Sequence, residues 1–366
     1  MKKSTYPIVV IIPSLNPDDN LINTVESVIR QGFTDVILVD DGSKQECQRY
    51  FEQLESLDEV TVIHHEVNKG KGAALKTAFS YYLNNFDQKV YKGVVTADAD
   101  GQHLAVDIYK TAERMLMQMK SEKDRILVLG TRDFDDPIVP FKSKNGNKIT
   151  TVVFQLLYQK RINDTQTGLR AISNAYIPDC MALKGERFEY EINMLIDAVT
   201  SKAEIIEEII ATVYLNQNRE THFHPVKDSM KIYRVMFASF IRFSCTGVLS
   251  MLIDQGLFAI FVNLVFAFLN TESAIVISTI IARVCSSLFN YTMNKNIVFK
   301  SGNGMKSFVR YYILCVVQMI ASAAGVTLAY ILTRGNLSIL KLVIDLLLFF
   351  ISYQIQRRWV FVKEEK

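Results

Sequence analysis

The hydrophobic pattern changes character once along the chain. Up to about residue 235, short apolar runs at 8–12, 36–39, 60–64, 94–97 and 126–130 alternate with longer segments of mixed character. Strand-length runs separated by helix-like stretches predict βα units and a largely parallel sheet covered on both faces. From 237 to 360 Phe, Ile, Leu and Val dominate, in four segments at roughly 240–261, 274–293, 308–332 and 339–353. Lengths near 20 residues match the hydrocarbon thickness of a bilayer, so four transmembrane helices are expected. The fourth segment is the shortest, and Tyr353 and Trp359 beside it suit a membrane interface. The expected organisation is an α/β domain over 1–215, an interfacial linker over 216–236 and an all-α membrane domain over 237–366.

The first run, 8–12, is too short for a signal-peptide core, so it is expected to be a buried strand with no secretory leader. The chain has 366 residues, more than one average domain needs, and a net charge of only +3. That balance carries no nucleic-acid footprint and no acidic tail. Five scattered cysteines without a C-x-x-C pair are expected to be buried thiols in a reducing compartment.

Placement of the basic residues says more than their total. Lys227, Lys231, Arg234 and Arg242 precede or enter the first span, and Lys295, Lys300, Lys306 and Arg310 lie between the second and third. Arg357, Arg358 and Lys363 follow the fourth, whereas 262–273 has no positive charge; Arg334 and Lys341 flank the last hairpin. Positive charge marks the cytoplasmic side, which puts both termini and the α/β domain in the cytoplasm of a multi-pass membrane protein.

The membrane part repeats. Ser239-Phe240-Ile241-Arg242-Phe243 recurs as Ser307-Phe308-Val309-Arg310-Tyr311, and Tyr291 to Phe299 resembles Tyr353 to Phe361. Two hairpins entering from the same side form a parallel repeat. Asp254, Arg283 and Asp345 fall within spans, and aligning Tyr291 with Tyr353 gives an offset of 62 that makes Arg283 and Asp345 equivalent. A central charge costs on the order of 2.5–3.5 kcal/mol on insertion scales, so all three are expected to face the bundle interior and find partners. An ion pair that fixes packing and an Arg283 that meets a lipid phosphate are both open readings.

Candidate chemistry lies in the loops after the strands. Asp40-Asp41-Gly42-Ser43 follows the second run, and Asp98-Ala99-Asp100-Gly101-Gln102-His103 follows the fourth. Asp98 and Asp100 can converge on one divalent ion if Gly101 turns the chain, with Gln102 adding an amide oxygen; such hard donors suit Mg²⁺ or Mn²⁺. A solvated acidic loop is the plain alternative. Between the acidic loops, Asn68-Lys69-Gly70-Lys71-Gly72 is a glycine-rich basic turn opening a helix, where backbone N–H groups and Lys71 favour a phosphate. It lacks P-loop spacing. Glu191 is either a solvated carboxylate on a helix running to about Ser201 or a positioning group or base. His222 and His224 have no further ligand at metal spacing, so no zinc is expected.

Together VVIIPSLN (9–16), VDDGS (39–43), NKGKGAALKTA (68–78), DADGQH (98–103), GTR (130–132) and DTQTGLRA (164–171) resemble the family-2 glycosyltransferases of GT-A fold, in their polyprenyl-phosphate branch. The branch includes dolichyl-phosphate mannose synthases and bactoprenol glucosyltransferases. The membrane part resembles the GtrA-like family. The resemblance implies that Pro13 and Asp41 line the nucleotide base pocket, that Lys71 and Asp98 serve the donor, and that Asp98, Asp100 and Gln102 hold the metal. It implies further that Arg132 and Arg219 face phosphates on the membrane side, and that Lys142 and Lys144 take acceptor-phosphate positions where relatives often carry arginine. One departure is visible: relatives usually have an acidic residue soon after P-x-x-N, whereas here Pro17 follows Asn16.

The implied activity is inverting transfer of one sugar from a nucleotide sugar, UDP-glucose or UDP-N-acetylglucosamine in first place, to a polyprenyl phosphate such as undecaprenyl phosphate for cell-envelope glycan synthesis. A GDP-mannose donor is the alternative within the family. A divalent ion and nearby cations stabilise charge developing on the departing diphosphate. A phosphate monoester, with a second pKa of about 6, is already a nucleophile at neutral pH and needs little help from a base. A different class of protein, a lipid-sugar translocator or scaffold with a regulatory transferase domain, would not need Asp98, Asp100 and Gln102 intact. The oligomeric state stays open, a homo-oligomer included.

Overall fold

The computed structural model describes residues 6–134, 136, 139, 141–212, 225–299, 301 and 304–362. Contacts divide the chain into two compact units, Met1–Met236 and Phe237–Lys366.

The first unit is built on a seven-stranded sheet. Its strands are β1 (Ile8–Ser14), β2 (Val36–Asp40), β3 (Val60–His64), β4 (Gly93–Thr96), β5 (Ile126–Arg132), β6 (Arg170–Ser173) and β7 (Glu204–Ile210), in the order β3-β2-β1-β4-β6-β5-β7. All neighbours are parallel except β6, which runs antiparallel to β4 and β5. The helices between them are α1 (Asp19–Gln31), α2 (Gln48–Glu55), α3 (Lys71–Asn85), α4 (Ala105–Gln118), α5 (Phe141–Tyr158), α6 (Ile177–Met181) and α7 (Glu189–Thr200). Residues 8–12 are fully buried because helices cover both faces of a parallel sheet, which explains continuous rather than alternating apolarity. β1 pairs with β2 on one side and β4 on the other. The connections therefore diverge at this point, and the carboxyl ends of β1 and β4 open the crevice in which such sheets bind ligands.

Two strands lie beyond the five apolar runs. β6 has only four residues and begins with a buried arginine, and β7, EIIEEII, is an edge strand paired with β5 alone.

The second unit contains the apolar part of α8 (Pro225–Ile260), with α9 (Thr271–Met293), α10 (Met305–Thr333) and α11 (Leu337–Ile355). These four helices are long and apolar enough to cross a membrane. π-helical turns extend three of them, at Phe261–Val265, Asn294–Val298 and Gln356–Val360. The last extension makes the fourth span 24 residues long, so it is not the short segment its composition suggests.

The repeat is visible in the side chains. Asn294 and Gln356 open equivalent π turns and hydrogen-bond each other, Nδ2 donating to Oε1 at 3.0 Å. Thr246 donates to Asn294 Oδ1 at 2.6 Å, and Tyr311 and Asn294 both donate to Asn290 Oδ1. The intramembrane charges depart from expectation. Asp254 is buried, accepting from Ser286 and pairing with Arg283 at 3.2 Å, but the Arg283 side chain is 72% exposed. Asp345 pairs with Lys341 at 2.7 Å and accepts from Ser322, also partly outward. Of the three charges, only Asp254 faces the interior. Repeat alignment identifies equivalent positions rather than contacts, and each pair closes within its own hairpin: Ser322 occupies the Asp254 position, and the carboxylate moves to the partner helix at 345.

Candidate active site

β4 ends at Thr96 and the chain turns immediately, with Gly101 at φ +76° supplying a conformation that a Cβ disfavours. The turn is pinned from inside. The Asp98 N–H donates to His103 Nδ1 at 3.0 Å, and the Gln102 N–H donates to Asp100 Oδ1 at 3.0 Å. Accepting at Nδ1 leaves the proton on Nε2, which lies 4.0 Å from Asp98 Oδ2. Burial pushes the His103 imidazole down against the pull of Asp98 and Asp100, so the ring is a neutral prop. Asp98 and Gln102 border one cleft with Arg132 and Gln166, while Asp100 is exposed and is not among its lining residues.

Lys71, the first residue of α3, reaches Asp98 at the wall of this cleft. Its Nζ lies 2.5 Å from Asp98 Oδ1 and 2.8 Å from Glu191 Oε1. Burial opposes charge on Lys71 and Asp98, yet each is held ionised by its neighbours. Burial pushes Lys71 down, but Asp98 and Glu191 outweigh it and raise it. Burial pushes Asp98 up, but the charge and hydrogen bond of Lys71, with the charge of Arg132, hold it at about 2. Asp100 goes the other way, raised by loss of hydration and by the charge of Asp98. Glu191 is buried in the first turn of α7, not solvated. Its carbonyl accepts from Arg170 Nη1 at 2.8 Å, and Arg170 is itself 1% exposed.

The basic turn is shaped by the second acidic pair. Both Asp41 oxygens are engaged internally: the Lys69 and Gly70 N–H groups donate to them at 2.9 and 2.7 Å, and His65 Nδ1 lies at 2.8 Å. Asp40 accepts from the Ser43 N–H and Gln48, and meets His64. Asp41 thus aims the loop that presents Lys71, and its N–H donates to Ser14 O beside the half-buried Pro13.

Arg132 ends β5 with its guanidinium held by Asp164, Nε to Oδ2 at 2.7 Å and Nη2 to Oδ1 at 3.1 Å. Asp164 is fully buried, so it fixes the plane of the guanidinium at the cleft wall. Lys144 is half-buried in α5; the side chain of Lys142, and Arg219, His222 and His224, lie outside the described residues. The structure therefore brings Asp98, Gln102 and Arg132 to one cleft, with Lys71 paired to Asp98 and Glu191 paired to Lys71. Sequence reasoning missed His103, Asp164 and Arg170 as supports, although all three stand inside the quoted motifs.

Among the described residues no cluster of three or more His, Cys, Asp or Glu side chains is assembled for a metal. The residues nonetheless fit a hard divalent ion. Asp98 already draws a cation, the Lys71 ammonium, and Mg²⁺ is commonly held by one or two carboxylates with the remaining positions filled by water and substrate phosphate.

Residues 9–182 match the glycosyl transferase family 2 model, and residues 242–361 match the GtrA/DPMS transmembrane domain. A UDP-N-acetylglucosamine–dolichyl-phosphate N-acetylglucosaminyltransferase of Methanococcus voltae is 29% identical over 225 residues, 57% of this chain and 86% of that one. Glycosyltransferase AglJ of Haloferax volcanii is 22% identical over 230 residues, 62% of this chain and 70% of that one. Mannosyl-3-phosphoglycerate synthase from Rubrobacter xylanophilus overlays with a TM-score of 0.45 at 14% identity, over 66% of this chain and 74% of that one, a likeness too loose to carry an argument. With its α/β unit in glycosyl transferase family 2 and its four apolar helices in the GtrA/DPMS transmembrane family, the chain is a membrane-embedded glycosyltransferase.

Proposed function

We propose that the protein transfers one sugar from a nucleotide sugar, UDP-N-acetylglucosamine or UDP-glucose, to a polyprenyl phosphate at the cytoplasmic membrane face, with inversion and with a divalent ion. The observation that carries this reading is the charged cleft beyond β4, in a chain that also has four membrane-length helices. Asp98, Asp100 and Gln102 would hold Mg²⁺ or Mn²⁺, which supplies positive charge to the departing diphosphate. Pro13 lies beside the base pocket at the end of β1, and Asp41 shapes the loop that carries Lys71. Arg132, oriented by Asp164, faces the acceptor phosphate with Arg219, Lys142 and Lys144. The acceptor phosphate is the nucleophile, so no strong base is needed. The Methanococcus voltae relative supports N-acetylglucosamine as donor sugar and a dolichyl-type acceptor. The proposed domains are 1–215, 216–236 and 237–366, with both termini cytoplasmic on the strength of the basic flanks.

The test uses purified full-length protein with UDP-N-acetylglucosamine, UDP-glucose or GDP-mannose, and undecaprenyl or dolichyl phosphate, in Mn²⁺ or EDTA. A lipid-linked monosaccharide with one donor, lost in EDTA, is expected. No lipid product with any donor overturns the reading, and product from GDP-mannose alone replaces the donor.

A further inference from the structure

We propose that Lys71 is a built-in counter-cation for the metal position. It holds Asp98 while no divalent ion is bound, and Glu191 keeps it when an ion arrives. The proposal rests on the reading of the cleft as a metal-assisted transfer site.

The geometry gives one ammonium to two carboxylates on different elements. Asp98 in the loop after β4 lies 2.5 Å away, and Glu191 on α7 lies 2.8 Å away. The anchors on either side are fixed. The Gly70 N–H is bound by Asp41 and the Ala73 N–H by the Glu186 carbonyl, while the Glu191 backbone is held by the buried Arg170. What remains free to move is the four-carbon stem of Lys71. A divalent ion on Asp98 would repel the ammonium at that distance, and expelling it from a buried position would strand Glu191 as an uncompensated carboxylate. Holding Lys71 on Glu191 avoids both costs. Glu191 is then a positioning residue for the lysine, since its carboxylate is already engaged by a cation, and it is not the base of the reaction. The fit is tight: a Cβ at Gly168 would lie 2.5 Å from Asp98 Oδ2 and 2.7 Å from Lys71 Nζ, so the lysine has no room to retreat toward residue 168.

The test measures Mn²⁺ binding to the full-length protein without nucleotide, from the electron paramagnetic resonance signal of free Mn²⁺. Asp98→Asn should remove the site. Lys71→Gln should tighten binding about tenfold and Glu191→Gln weaken it about tenfold, within the usual range of coupled sites. In the Lys71→Gln background, Glu191→Gln should change nothing beyond about twofold, because Glu191 acts through the lysine. If the two effects instead add, Glu191 acts as a charge through space and the proposal fails. It fails also if Lys71→Gln leaves Mn²⁺ affinity unchanged or lower, or if Asp98→Asn removes no site. Should neither Lys71→Gln nor Lys71→Met show a cooperative thermal transition, Glu191→Asp decides: it keeps the charge and shortens the reach, so weaker Mn²⁺ binding supports the hand-over and wild-type binding overturns it. Lipid-linked product is scored separately. Non-additive Mn²⁺ binding without product overturns the transferase reading alone, and product with additive binding overturns the hand-over alone.

Discussion

Replacing Gly168 by alanine should separate activity from stability. The residue lies in the chain leading into β6, and its carbonyl accepts the Thr96 hydroxyl at 2.8 Å. Its φ lies outside the left-handed region, so alanine takes the backbone without strain. The added methyl has no space. It would stand 2.5 Å from Asp98 Oδ2, where ordinary contact begins near 3.4 Å, so the carboxylate must move by about 0.9 Å. The atoms that yield are the ends of side chains, Asp98 and Lys71, which makes the change mild for the fold. Overpacking costs typically about 1–3 kcal/mol, and the low end applies here. Displacing a charged group by about 1 Å costs on the order of 10²-fold in rate. The assay is transfer to polyprenyl phosphate alongside thermal unfolding in detergent, with Gly72→Ala as the contrast. A methyl at Gly72 would meet Tyr190 Cβ at 2.5 Å, in a buried ring that cannot step aside, and should cost stability rather than rate alone. Transfer by Gly168→Ala within twofold of wild type would refute the reasoning, as would unfolding as early as Gly72→Ala.

Three further outcomes are expected. Asp98→Asn should lose transfer by at least about 10²-fold while keeping its thermal transition, and EDTA should do the same reversibly; retained rate in both ends the metal assignment. Arg132→Ala should raise KM for the lipid phosphate more than KM for the nucleotide sugar, because charge-assisted bonds to phosphate are about twice as strong as neutral ones; the reverse pattern would move Arg132 to the donor side. In the membrane unit, Asp254→Asn and Arg283→Gln should be non-additive in thermal unfolding, coupled by more than about 0.5 kcal/mol, whereas Arg283→Gln and Asp345→Asn should add; the opposite result would restore the pairing that repeat alignment suggests.

What the sequence discloses depends on how local the cause is. The loop from Asp98 to His103 holds a strand end, two carboxylates, a turn glycine and an amide within six residues, so its chemistry is readable without the fold. β1 and β2 are readable because burial on both faces leaves unbroken apolar runs. β7 is not, since three glutamates interrupt its apolar residues, and Glu207 is engaged by Thr131 and Asn163, partners distant in the chain. The engagement of Lys71 by Glu191 joins residues brought together by α3 and α7, and no spacing along the chain announces it. Arg283 shows a different limit: periodicity located its equivalent, Asp345, but the contact is with Asp254 across the hairpin.

The amide pair between Asn294 and Gln356 bears on how the protein is made. A chain emerges amino end first, so Asn294 enters the membrane when Gln356, 62 residues later, is still to be synthesised. A lone amide in hydrocarbon would be costly. During that interval Asn294 is already served within the first hairpin, its oxygen by Thr246 and its nitrogen by Asn290. The early hairpin can therefore wait in lipid with a single Asn294 N–H still open, and the later one docks onto it and fills that donor. Biogenesis of the four spans can proceed in two stages, the second supplying the acceptor for the last Asn294 donor.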